Sequence, residues 1–381
     1  MKKLENSVNY SLKILTRLFL NQKQSIKINN NCKILITANF GIGDCIFFFP
    51  VLYELQNLNF KAIITIITNN NAVKKILDTN FPTIETRYID FNKLGFKNSL
   101  KIFKDIKKMK YDIFICNFLG LRNKYIWMAL YSVIPNRIGH CYNQSDDWAK
   151  YNYFFNYKIF IENKHYIDLN LSLVKPIINN PAKKDIEFIL DPISETNIKN
   201  FLADKKITQY VIIQAHSSVG PIKNWPAERY AEIINYIKDH YQYAVLLAGS
   251  KSEYEYLKEL CKGEHVYNVA GLFDIMETAA LIKYASLFVG NDSGIGKISI
   301  ALNTPTITIW GSSDYTRAKS WSDGHYDLYN KMECAPCAFR IGYPHHDICT
   351  NNDTFKCLKS IKESQVKEIV KEVLSTRKDI S

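Results

Sequence analysis

Apolar residues run along this chain in short blocks, each closed by turn-forming residues and followed by a stretch with helical spacing. The first block, Lys-Ile-Leu-Ile-Thr-Ala at 33–38, reads as a strand buried on both faces. A helix through about Leu55 follows it. Strands are then predicted near 62–67, 85–89 and 112–116, with helices near 71–78 and 98–108. After Asn136-Arg-Ile-Gly139 the pattern weakens, and an aromatic, Asn-rich section from Tyr151 to Tyr157 leads to a helix near 165–177.

Asn179-Asn-Pro-Ala-Lys-Lys184 reads as a linker, and beyond it the alternation restarts. Strands are predicted near 209–214, 244–248, 266–268, 286–289 and 305–309. Helices are predicted near 194–204, 227–239, 252–261, 274–284 and 294–302. A last helix near 363–375 is a candidate to pack back on the first half. Strands alternating with helices imply an α/β chain with parallel sheets covered on both faces. Two Rossmann-like domains are expected, 1–180 and 181–381, with a ligand between them at the strand C-termini.

The length of 381 residues suits two domains, and 47% hydrophobic residues suffice for two cores. A net charge of +12 points to an acidic partner. The lysines are scattered rather than blocked into an arm, and no nucleic-acid-binding signature is present, so a nucleic-acid partner is not expected. No apolar run reaches the ~18 residues of a membrane span, and a secretory signal is not expected from Met1-Lys-Lys-Leu, which lacks a contiguous apolar core ending in small residues. The cytoplasm is the default compartment. Leu12, Ile14, Leu15, Leu18 and Phe19, mixed with Lys13 and Arg17, form a basic amphipathic stretch. It reads first as a helix covering its own domain, with peripheral membrane contact as the alternative. Nine cysteines in a cytosolic chain argue against a disulfide framework.

Four strand-to-helix turns carry candidate chemistry. In Asn39-Phe-Gly-Ile-Gly-Asp44, Gly41 and Gly43 allow a tight turn and close backbone approach to a ligand. It is no dinucleotide fingerprint, because the third glycine would fall at Ile46. Asp44 opens a helix, either as its cap or as a general base facing a cleft. In the loop after the 209–214 strand, Ser217, Ser218 and Lys223 are placed to hold phosphate oxygens, with a solvated lysine as the plain alternative. The Leu247-Ala-Gly-Ser-Lys-Ser-Glu253 turn puts Glu253 within reach of a ribose hydroxyl. Most telling is Val289-Gly-Asn-Asp-Ser-Gly294, where a strand ends, Asp292 and Ser293 stand near a helix N-cap, and free amides carry partial positive charge.

In order along the chain, Gly-Ile-Gly-Asp44, Lys223-Asn-Trp-Pro-x-Glu-x-Tyr230, the Asp292-Ser-Gly294 turn and Pro305-Thr-Ile-Thr-Ile-Trp-Gly311 resemble the ADP-heptose heptosyltransferases, glycosyltransferase family 9. The resemblance covers roughly residues 33 to 370. It implies a GT-B fold, with an acceptor domain followed by a nucleotide-sugar domain, and an inverting transfer that needs no metal. Carried over, Asp44 is the catalytic base and Lys223 grips the donor phosphates. Asp292, Ser293 and Gly294 meet the sugar and diphosphate, and Glu253 is a looser match near the nucleoside. The family's usual histidine is replaced by Lys297, a permanent charge placed to contact the diphosphate. The implied donor is ADP-heptose. The acceptor is a glycolipid of lipopolysaccharide or another surface glycan, at the cytoplasmic membrane face. Alternatives are a protein acceptor, as in autotransporter glycosylation, and a catalytically silent nucleotide-sugar-binding subunit.

Cys334, Cys337, Cys349 and Cys357 crowd one segment, with two, eleven and seven residues between them. A branch of the family that glycosylates autotransporters is similar in holding iron on four such cysteines. Structural zinc or iron is the expectation here, with His345 and His346 as alternative ligands and plain reduced thiols as the bland reading.

Overall fold

The computed structural model describes residues 26, 30–58, 61–117, 123–143, 147–182, 185–217, 220–337, 349 and 351–378. The amphipathic stretch from Leu12 to Phe19, Ser218, His345 and His346 lie outside them. The chain divides into two compact units, Met1–Ile186 and Glu187–Ser381.

In the first unit, β1 (Lys33–Thr37), β2 (Ile63–Thr68), β3 (Glu85–Tyr88), β4 (Ile113–Cys116), β5 (Asn136–Cys141) and β6 (Tyr157–Phe160) form one sheet in the order β3-β2-β1-β4-β5-β6. Every pairing is parallel. Ile34, Leu35 and Ile36 have no exposed surface, as a central strand covered on both faces requires. Helix α1 (Ile42–Gln56) follows β1 and buries the run from Cys45 to Leu52, so its apolar residues encircle it rather than line one face. Next come α2 (Asn71–Asn80), α3 (Phe96–Met109), α4 (Asn123–Tyr131) and α5 (Tyr166–Ser172). The last pins α1: Asn170 Nδ2 donates to the Phe47 carbonyl at 3.2 Å, and His165 meets the Phe47 ring edge-on.

The second unit repeats the plan. After α6 (Pro192–Asp204) come β7 (Tyr210–Gln214), α7 (Ala227–Tyr241), β8 (Ala244–Leu247), α8 (Tyr254–Lys258), β9 (Val266–Asn268) and α9 (Ile275–Lys283). Then follow β10 (Leu287–Asn291), α10 (Gly294–Ala301), β11 (Thr306–Ile309), α11 (Tyr315–Ala318), β12 (His325–Leu328), α12 (Lys356–Lys359) and α13 (Glu363–Lys378). The sheet order is β12-β11-β10-β7-β8-β9, again all parallel. Each sheet therefore reverses direction once, between β1 and β4 in the first unit and between β7 and β10 in the second. Ligands of open parallel sheets bind at such reversals, beyond the strand C-termini.

Three expectations change. The final helix does not join the first half: Val366, Val370 and Leu374 enter the second unit's core beside Ile233 and Ile237 of α7. Strands β5, β6 and β12 and helices α4, α11 and α12 are not among the predicted elements. The tight turn expected at Gly41 does not itself require glycine, since its φ of −75° and ψ of 177° are open to any residue.

Candidate active site

The turn between β10 and α10 is shorter than the sequence implied. The strand runs through Asn291 and the helix opens at Gly294, leaving only Asp292 and Ser293 between them. Ser293 is the N-cap. Its Oγ accepts the Gly296 amide at 3.2 Å and its hydroxyl donates to Gln214 Oε1 at the end of β7. One serine thus closes the helix and ties the two strands that flank the reversal point.

Asp292 stands between two lysines. Lys223 Nζ lies 2.8 Å from its Oδ2 and Lys297 Nζ lies 3.2 Å from its Oδ1. Lys223 also donates to the Asp292 carbonyl at 3.2 Å. Burial alone would raise the Asp292 carboxyl, but the charges of Lys223 and then Lys297 overcome it and hold the group well below the usual carboxylate range. The site is therefore an ionised carboxylate with two cations, one positive charge in excess.

Lys223 arrives on a loop that is itself fixed. It closes a short 3-10 turn, Pro221–Lys223, and two residues later the Trp225 amide donates to Asn291 Oδ1 at 2.9 Å. Ser217, buried, gives its amide to Asn224 Oδ1 at 2.8 Å, closing the loop on itself. Gly311, after β11, lets the chain pass close by: a Cβ there would stand 3.1 Å from the Ile222 carbonyl and 2.8 Å from Leu358. The structure thus brings Ser217, Lys223, Asp292, Ser293, Gly294 and Lys297 to one end of one sheet.

Glu253 is bonded within the protein through both carboxylate oxygens. It is buried, its Oε2 accepts the Ser250 amide at 2.6 Å in a capping box, and its Oε1 lies 3.1 Å from His216 Nδ1. Both oxygens are occupied within the protein, so Glu253 links the β8 turn to the β7 loop rather than presenting a free carboxylate. Sequence reading missed His216, Gln214 and Asn291. Gln214 and Asn291 were visible as amides ending otherwise apolar strands, a position where a side chain either caps the sheet or faces a ligand.

In the first unit, Asp44 is the third residue of α1, not its cap. The N-cap is Gly41, which makes no side-chain capping bond. Asp44 thus sits in the positive first turn of the helix, at the C-terminal end of β1 beside the first unit's reversal point. Its neighbour Cys45 is no rival nucleophile: burial first, and the Asp44 charge second, raise its thiol far above the usual range.

The four crowded cysteines are free thiols, as are Cys32, Cys45, Cys116, Cys141 and Cys261. Burial first holds Cys357 up at about 11, and Cys337, Cys334 and Cys349 all add to the rise, so the four lie within electrostatic reach of one another. Among the described residues no three His, Cys, Asp or Glu side chains are drawn together as a metal-holding group. No helix among these residues is long and apolar enough to cross a membrane.

The family model for glycosyltransferase family 9 (heptosyltransferase) matches residues 99–341, more than half of the chain. The chain belongs to glycosyltransferase family 9. It is accordingly a glycosyltransferase of the heptosyltransferase family of lipopolysaccharide synthesis. Lipooligosaccharide heptosyltransferase 2 of Campylobacter jejuni is 25% identical over 357 residues, 90% of this chain and 98% of that protein. The Escherichia coli ADP-heptose lps heptosyltransferase II structure covers 91% of this chain and 99% of its own at a TM-score of 0.70 and 18% identity. The iron-containing dodecameric glycosyltransferase TibC of enterotoxigenic E. coli covers 93% of this chain and 78% of its own, at 0.59 and 15%. The fold is GT-B. Asp44 lies before the family match begins, while Lys223, Asp292 and Lys297 lie inside it.

Proposed function

We propose that this family 9 member is an inverting transferase that moves heptose from ADP-heptose to a hydroxyl of lipopolysaccharide or a related surface glycan. The observation that carries the reading is the Lys223–Asp292–Lys297 cluster at the reversal point of the second sheet. An enclosed site with one excess positive charge, next to a helix N-terminus, suits a nucleoside diphosphate. The second unit, from Glu187 onward, is then the donor domain and the first the acceptor domain.

In this reading Asp44 takes the proton of the acceptor hydroxyl as its oxygen attacks the anomeric carbon. The bond from that carbon to the diphosphate breaks, and the leaving group departs with both electrons. Lys223 and the amides at the start of α10 stabilise the charge that develops there. Gly41 and Gly43 leave backbone open beside Asp44 for the acceptor. A glycolipid acceptor places the enzyme at the cytoplasmic membrane face, where a net charge of +12 favours an anionic surface.

A second reading concerns the cysteines. Cys334, Cys337, Cys349 and Cys357 lie within mutual electrostatic reach, and four thiols suit structural zinc or iron and leave no open position for chemistry. No catalytic step is assigned to a metal there.

A thermal-shift series against ADP-, GDP-, UDP- and dTDP-sugars tests the donor. Ligand binding to the native state raises the melting temperature, and ADP-heptose is expected to raise it most. A clear preference for another nucleotide overturns that assignment.

A further inference from the structure

The two lysines on Asp292 are not equivalent. Lys297 is 3% exposed. Its Nζ also donates to the Ala318 carbonyl at 2.8 Å and lies 4.4 Å from the centre of the Trp310 ring. That ring is locked in turn, because its Nε1 donates to Asp327 Oδ1 at 2.8 Å and Asp327 also accepts the Ser320 amide at 2.9 Å. Lys297 is thus walled in by β11 and the last turn of α11. Lys223 comes from a loop, its side chain keeps 13% of its surface, and its ammonium bonds the other carboxylate oxygen.

We propose that Lys297 is a positioning residue, the standing counter-ion of Asp292, which allows Lys223 to leave that carboxylate for the donor diphosphate. The inference rests on the donor reading above. It departs from the expectation that Lys297 itself touches phosphate, which its enclosure between Trp310 and Ala318 does not favour. If Lys223 were the sole partner, its departure would strand a buried carboxylate, a change that is strongly unfavourable. With Lys297 in place, Asp292 stays paired through Oδ1 while Oδ2 is released. The freed Oδ2 accepts a hydroxyl of the donor sugar, so the exchange leaves no charge unpartnered. Each lysine bonding a different oxygen is what makes the exchange feasible.

The test is calorimetric titration of ADP into wild type, K297M, K297R and the double variant D292N/K297M, each checked for a cooperative melt. K297M leaves Lys223 locked on Asp292, so ADP should bind roughly ten- to a hundredfold more weakly although Lys223 is present. K297R keeps the charge and should recover part of the loss. The double variant removes the carboxylate together with its counter-ion, keeps the same net site charge as wild type, and should return to within about fivefold of it. It carries no stranded charge, so it reports on the idea even if K297M fails to fold. A double variant as weak as expected for a lost phosphate contact, or K297M binding like wild type, overturns the inference alone. A wild type that does not bind ADP overturns the donor reading and the inference with it.

Discussion

The backbone amide of Trp225 donates to the side-chain oxygen of Asn291 at 2.9 Å, across 66 residues of sequence. This bond holds the loop that carries Lys223 against the strand that ends at Asp292. Replacing Asn291 with alanine leaves a buried amide without a partner. The expected cost is about 1–3 kcal/mol of stability, together with weaker nucleotide binding as Lys223 loses its register. Urea denaturation and ADP titration on the same variant check both effects. Unchanged ADP affinity would show that the loop is set by something else.

Gly311→Ala places a methyl group 2.8 Å from Leu358 and 3.1 Å from the Ile222 carbonyl. Overpacking of this kind costs about 1–3 kcal/mol. Shortening Leu358 in the same chain should relieve part of it, so the double variant is expected to be more stable than the sum of the single losses predicts. Strict additivity in denaturant melts would mean that the two positions do not meet.

His140 has no exposed surface, and burial, opposed by the hydrogen bond to the Leu169 carbonyl, lowers its pKa to about 4. In the unfolded chain it titrates at about 6.5. Between these values the unfolded state binds the extra proton, so stability falls as pH drops from about 6.5 towards 4. The loss from this group is on the order of 3 kcal/mol, with no further loss from it below that window. Denaturation midpoints measured down this range should fall less steeply in His140→Gln. Parallel slopes in the two proteins would assign the acid sensitivity elsewhere.

Metal analysis of protein grown with zinc and iron supplied should find about one ion per chain at the four thiols. Cys334→Ser with Cys349→Ser should abolish it, and a chelator should lower the melting temperature of the parent protein only. Metal-free protein with all four thiols titratable by a thiol reagent would identify them as ordinary reduced cysteines.

How far the sequence spoke depended partly on burial and partly on unbroken apolar runs, which the buried interior strand Asn136–Cys141 lacks because Asn136, Arg137 and His140 interrupt it. Strands such as Ile63–Thr68 and Tyr210–Gln214 are covered on both faces, so their apolar runs announced themselves. Tyr157–Phe160, which alternates half-buried and exposed residues, and His325–Leu328, half-buried throughout, are edge strands with one neighbour each, and their mixed composition concealed them. At the site, Asp292, Ser293 and Lys223 were legible because each sits on a turn after a recognisable strand. The work of Gln214, Asn291 and His216 was not, because it consists of bonds between loops far apart in sequence. A lone acid after a strand reads alike whether it faces a ribose or caps its own helix, and Glu253 makes such a cap.

The central claim divides the labour: the second unit holds the activated sugar and Asp44 primes the alcohol. The direct measurement is donor affinity and single-turnover transfer in Asp44→Asn beside wild type. ADP-heptose should bind within about threefold of wild type, while transfer slows at least about a hundredfold, as loss of a general base requires. Transfer at the wild-type rate in that variant would contradict the account.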